Sequence, residues 1–162
     1  MLNSYFGGKS IFLSGATGLV GKVLLEKLLR CFPEIQCVYI LIRKKKGMDA
    51  YQRLDKEIFS SPCFEYLRKH NNNFQKKVIP IEGDLHQERL GISKENYEIL
   101  TKNVNLWISN AASTSWTDPL DAALLVNTRG PLELFRMAQQ SKLTDHFIHI
   151  STFNIQYGMS HT

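Results

Sequence analysis

The chain has 162 residues, 43% of them apolar and 22% charged, with a formal net charge of +5. That length suits one domain with one core; no apolar run nears the roughly 18 residues that cross a bilayer, and the start, MLNSYFGGKS, lacks the apolar stretch of a secretory signal. The basic excess is modest and spread out, which argues against a nucleic-acid partner, and Cys31, Cys37 and Cys63, with no CxxC pair, suit reduced, buried or half-buried thiols in a cytosolic setting.

In chain order, short apolar runs alternate with helical stretches. Residues 10–14 (SIFLS) form the first expected strand, and 19–32 an amphipathic helix with Val20, Val23, Leu24 and Leu28 on its inward face. A second strand follows at 37–42 (CVYILI). Residues 49–68 read as two helices broken at Ser61-Pro62, and HNNNF at 70–74 as a surface loop. The third strand is expected at 77–81 (KVIPI), a helix at 94–102 and the fourth strand at 105–109 (NLWIS). Asp118-Pro119 and Gly130-Pro131 both read as helix starts, and 146–150 (HFIHI) as the fifth strand. Near-continuous apolar strands separated by helices imply a parallel sheet covered on both faces. Right-handed crossovers then favour the doubly wound α/β fold.

Gly15, Gly18 and Gly21 form GxxGxxG between the first strand and the first helix. In that position Gly15 permits a tight turn, Gly18 lets a pyrophosphate approach the backbone, and Gly21 seats the helix on the sheet. A purely structural turn is the alternative, but the strand before and the helix after favour dinucleotide binding. The 3+3 spacing resembles that of the extended short-chain dehydrogenases/reductases. At the end of the second strand an NAD site usually carries an acid. This chain has Arg43, Lys44, Lys45 and Lys46 instead. Such a run can be a solvated turn or a localisation patch; directly after this strand it is better suited to the 2′-phosphate of NADP, which Arg binds bidentately.

Other chemistry finds no support. His146 and His149 lie three apart on a strand and face opposite ways, so they cannot share a metal, and no metal site is expected. No GxSxG elbow occurs. Trp107 and Trp116 read as core residues.

The segments YFGGKSIFLSGATGLVGKVLLEKLLR, VYILIRKKKG, QRL at 52–54, SPCFEYLR, VIPIEGDL, NVNLWISNAAS, VNTRGPLELFRMAQ and FIHIST span residues 5–152, and the likeness runs on to residue 158. Through them the chain resembles the animal fatty acyl-CoA reductases; LIR-basic-G, SP-x-F-x-x-L-R and PIEGDL are the most particular. The resemblance implies that residues 1–162 are an NADP-binding Rossmann domain, part of a longer reductase domain and incomplete at the C-terminus. It places Thr17, Gly18, Leu19 and Val20 along the cofactor phosphates, and Arg43 with Lys44 and its neighbours at the 2′-phosphate. Asp84 would hydrogen-bond the adenine with Leu85 beside the ring, and Ala111 and Ala112 would pass the nicotinamide-side ribose. For Asp84 a loop cap, and for the alanines plain packing, remain alternative uses. Asn127 would tie backbone together near the site. Ser151 or Thr152 would supply a catalytic hydroxyl to the substrate oxyanion.

Two departures from the family stand out. Where relatives read STAY, this chain has Ser151-Thr152-Phe153-Asn154. The Tyr-x-x-x-Lys pair, whose lysine lowers the tyrosine pKa for proton donation, does not occur; Tyr157 is followed four residues on by His161. That pair, the acyl-binding region and any C-terminal membrane-associated segment are expected beyond Thr162. The function implied is NADPH-dependent reduction of long-chain acyl-CoA to fatty alcohol, on the cytoplasmic face of the peroxisomal or endoplasmic reticulum membrane. A catalytically silent NADP-binding module, or another extended reductase acting on a thioester, is the alternative.

Overall fold

A computed structural model describes residues 2–45, 47–71 and 73–152. Five strands, β1 (Ser10–Leu13), β2 (Cys37–Ile42), β3 (Val78–Glu82), β4 (Leu106–Ser109) and β5 (His146–His149), form one parallel sheet in the order β3-β2-β1-β4-β5. The chain winds outward from β1 in one direction to β3, then returns to the other side of β1 for β4. This reversal is the switch point of a doubly wound sheet, so a crevice opens beyond the C-terminal ends of β1 and β4.

The apolar strands supply two cores by simple alternation. Ile11, Leu13, Val38, Ile40, Ile42, Leu106 and Ile108 face one side, and Phe12, Tyr39, Leu41 and Trp107 the other. The first face is covered by α2 (Leu19–Cys31), by α3 (Ala50–Arg53) with its continuation Leu54–Phe59, and by α4 (Glu65–His70). The short α1 (Leu2–Phe6) adds Phe6, which packs against the first core. The second face is covered by α5 (Lys94–Asn103), and by a long helix assembled from α6 (Leu120–Leu124), Leu125–Arg129 and α7 (Gly130–Gln140). Trp107 is fully buried there and its indole N–H donates to Thr144 Oγ1 at 2.9 Å, so its one polar atom is satisfied.

All five expected strands are present within one residue at either end. Asp49 caps α3 in a reciprocal box with Gln52, and Ser93 caps α5. Several expectations need correction. The inward face of α2 is Gly21, Leu25, Leu28 and Leu29, with Leu24 half-buried; Val20 and Val23 are exposed, because the contact of Gly21 with the turn sets the rotation of the helix. Asp118 is not a helix cap: α6 begins one residue later and the Asp118 carboxylate instead accepts from Ser113 Oγ. Gly130-Pro131 starts no new helix either. Proline lacks an N–H and its ring opposes the carbonyl four residues back, and the wide π turn at Leu125–Arg129 immediately before it absorbs that conflict. Trp116 is 96% exposed, on the loop that crosses the sheet's C-terminal edge. In HNNNF, Asn73 is exposed but Phe74 is a core residue.

Candidate cofactor site

The turn after β1 is built on three glycines with three different reasons for being there. Gly15 has φ +73°, and a Cβ on it would lie 2.8 Å from the Ala111 backbone. Both facts demand glycine. A Cβ on Gly21 would lie 2.1 Å from the Gly15 carbonyl oxygen, so helix and turn touch backbone to backbone. Gly18 is different: φ is −78°, and a Cβ on it would meet only the Gly15 oxygen, at an ordinary 3.4 Å. Nothing in the protein forbids a side chain there. Gly18 is exposed and is the N-cap of α2 with no side-chain cap, so the opening faces the positive end of that helix. Thr17 is half-buried beside it, and Leu19 and Val20 are exposed on the first turn. A bare backbone at a helix N-terminus fits an anionic pyrophosphate.

The turn is stitched to β4 by residues that sequence reading missed. Ser14 is fully buried, and its Oγ accepts from the backbone N–H groups of Asn110 (3.0 Å) and Ala111 (3.1 Å). Asn110 Nδ2 returns bonds to the Ser14 and Gly15 carbonyls, both at 3.4 Å. The signal was there: a small hydroxyl residue just before the first glycine, and Asn before the alanine pair. Ala111 is half-buried with its backbone against Gly15, and Ala112 is exposed.

Beyond β2 and β3, Arg43, Lys44, Glu82, Gly83, Asp84, Gln87 and Gly91 line a hollow of about 150 Å³. Arg43 and Asp84 thus line one hollow. Burial pushes the Asp84 carboxyl up, but bonds from the His86 backbone N–H (3.0 Å) and Nδ1 (2.8 Å), with the nearby Arg43 charge, outweigh it and hold the group below its ordinary value. The Asp84 carboxylate therefore caps its own loop. Lys44 lies 3.5 Å from Glu82 and Lys45 3.0 Å from Glu57, whereas Arg43 is exposed beside the hollow. Leu85 is buried in the second core, against the face of Gly130.

After β4, Asn127 clamps the loop: its Oδ1 accepts from Ser113 N–H at 2.8 Å and its Nδ2 donates to Ser113 O at 3.0 Å. Ser151 and Thr152 are exposed two and three residues past the end of β5, on the same edge of the sheet. His146 and His149 are drawn to separate partners, Tyr5 Oη at 2.8 Å and Ser109 Oγ at 3.2 Å. Lys46, Phe153, Asn154, Tyr157 and His161 lie outside the described residues. Among the described residues, no three His, Cys, Asp or Glu side chains converge, and no helix is long and apolar enough to cross a membrane.

A glycine turn closed at two positions and open at the third, at the switch point of a doubly wound sheet, defines a dinucleotide-binding Rossmann domain. Over residues 13–162 the chain matches the family described as Male sterility protein, a family of NAD-binding domains, and it belongs to that family. It is 41% identical over 148 residues to fatty acyl-CoA reductase 1 of Mus musculus, covering 91% of this chain and 28% of the relative. It is 38% identical over 161 residues to fatty acyl-CoA reductase 2 of Bos taurus, covering 99% and 31%. The chain thus spans under a third of the length of these relatives. Among solved structures, the terminal R domain from the myxalamid PKS-NRPS biosynthetic pathway superposes with a TM-score of 0.73 at 26% identity, over 90% of this chain and 35% of that one. A nicotinamide dinucleotide is the cofactor class of such a domain.

Proposed function

We propose that the chain is the cofactor-binding part of an NADPH-dependent reductase acting on long-chain acyl-CoA, with fatty alcohol as product. The observation that carries the choice of NADPH is Arg43, exposed directly after β2 beside a hollow shared with Asp84, where an NAD site would carry an acid. The substrate class is supported by the names of the relatives. When bound, the cofactor supplies hydride. The chain's own part is to seat the pyrophosphate at Gly18 under the first turn of α2, to hold the 2′-phosphate with Arg43, assisted by Lys44, and to leave Ala111 and Ala112 small beside the ribose. Asp84 anchors the adenine-side loop, with Leu85 as its apolar support. Ser151 or Thr152 donates a hydrogen bond to the carbonyl oxygen as negative charge develops there. We further propose that the working protein acts at the cytoplasmic face of a peroxisomal or endoplasmic reticulum membrane.

Titration of the parent and of Arg43→Ala with NADPH and NADH tests the cofactor choice. Losing one charge-assisted contact costs ~1.5–3 kcal/mol, or about one to two decades in NADPH affinity. The parent is expected to prefer NADPH and the variant to lose most of that preference. Equal affinity of the parent for the two cofactors sinks the assignment.

A further inference from the structure

The basic turn after β2 is gripped from beneath by a pair of side chains outside the cofactor contacts described above. Arg53, the last residue of α3, has a side chain only 5% exposed. Its Nε and Nη2 donate as a fork to Glu57 Oε1 (3.0 Å) and Oε2 (2.6 Å), and its Nη1 donates to the Arg43 carbonyl oxygen. Glu57 also accepts from Lys45 Nζ at 3.0 Å. One ion pair, its guanidinium buried and its carboxylate half-buried, therefore holds the turn at two points, the backbone of Arg43 and the side chain of Lys45.

For stability alone such a pair returns little, because desolvating the guanidinium offsets much of the attraction. It is a good device for geometry, since the guanidinium is planar and its donors point in fixed directions. Glu57 consumes one edge of the Arg53 fork and so fixes the plane, which leaves the other edge directed at the Arg43 carbonyl. A lysine could keep the charge but could not hold both partners in one plane. An unanchored Arg43 would have to be ordered by the ligand itself, at a cost in affinity confined to ligands that use it.

We propose that Arg53 is a positioning residue for cofactor choice: with Glu57 it fixes the Arg43 backbone and restrains Lys45, so that Arg43 is set in advance for a 2′-phosphate. This inference rests on the NADP reading above. The test uses Arg53→Lys in the full chain, titrated with NADPH and NADH and by competition with 2′,5′-ADP and 5′-ADP. The parent is measured first, and equal affinity there for NADPH and NADH overturns the NADP reading itself. With a parent preference in hand, Arg53→Lys is expected to weaken NADPH and 2′,5′-ADP about tenfold while NADH and 5′-ADP move by less than about twofold, the partial loss of one charge-assisted contact. An unchanged NADPH-to-NADH ratio overturns the inference, and so does equal weakening of all four ligands, which marks a structural role only. Should Arg53→Lys fail to fold, Glu57→Asp, which withdraws the carboxylate from the fork but keeps its charge, is read by the same ratio with the same two outcomes.

Discussion

Gly18 and Gly21 sit three residues apart and answer to different demands. A Cβ on Gly21 meets the Gly15 carbonyl at 2.1 Å, so Gly21→Ala forces helix and turn apart. Its expected cost is ~1–3 kcal/mol of stability, read as a lowered urea midpoint, because overpacking of a tight contact shifts backbone. At Gly18 the backbone already has an extended conformation that any residue adopts, with room for a side chain. Gly18→Val is therefore expected to keep its circular dichroism spectrum and melting temperature and to lose cofactor binding. A parallel loss of fold and binding in Gly18→Val would make that glycine structural. A third expectation concerns Glu57. Bonds from Arg53, with help from Lys45 and against the opposing effect of burial, hold its carboxyl at about 2, below the ordinary 4.5. A carboxyl depressed in the folded state contributes stability that is complete above its unfolded value and lost as pH falls through the folded one. The stability gap between the parent and Glu57→Gln is thus expected to be widest above pH 4.5 and to close toward pH 2. A gap independent of pH in urea titrations would refute the pairing.

At the level of elements, β1, β2 and β4 were legible because a strand buried on both faces must be apolar almost throughout, and no helix here shares that signature. The glycine turn was legible for the same local reason: its residue types are needed by its own backbone. Long-range choices were hidden. The rotation of α2 is set by a backbone contact between Gly21 and Gly15, which places Val20 and Val23 outside despite their apolar character. Gly130-Pro131 resembles a helix start because proline suits a first turn, yet here a preceding π turn carries the helix across it. Trp116 was expected inside on composition alone, and only the path of its loop puts it in solvent. In the site, Arg43 could be found from its place after a strand. Arg53 could not, since an Arg-x-x-x-Glu pair on a helix usually marks nothing beyond a surface ion pair.

For the molecule as a whole, the two sides of the sheet are finished to different degrees. The first core is sealed by α2, α3 and α4. On the other side, Leu120, Leu124, Leu132 and Phe135 of the long helix are exposed, and β5, an edge strand, carries exposed Ile148 with Ile150 just beyond it. An apolar groove of about 490 Å³ runs along that helix beside Leu124, Leu125 and Leu132. Exposed apolar surface next to an open strand edge promotes pairing with other chains. Sedimentation of the purified chain is expected to give a mass that rises with concentration above 18.6 kDa, and Leu132→Glu to return it toward monomer. Concentration-independent monomers would contradict this. The sequence holds no Tyr-x-x-x-Lys, and a positioned general acid contributes about 10²–10⁴-fold. These 162 residues are accordingly expected to bind NADPH weakly and to release no aldehyde, alcohol or free CoA from a long-chain acyl-CoA. Turnover that depends on Ser151 or Thr152 would show that the chain contains its own proton donor.

Leu54–Phe59, where α3 continues as a wide π turn, and the similar turn at Leu125–Arg129 have a consequence for how such a domain can vary. Each slips one extra residue into a helix, so the residues before and after it keep different angular phases about the axis. Each also lies beside a residue that reaches out to brace a loop: Arg53 immediately before the first grips the Arg43 carbonyl, and Asn127 within the second grips Ser113. The packing stripe of the helix and the bracing side chain are thereby set on separate dials. Leu54 and Ile58, or Val126 and Leu134, can stay seated in their cores while the braced loop changes its sequence. Deleting one residue from either wide turn would lock the two phases together, and the helix would then have to choose between its core and its loop.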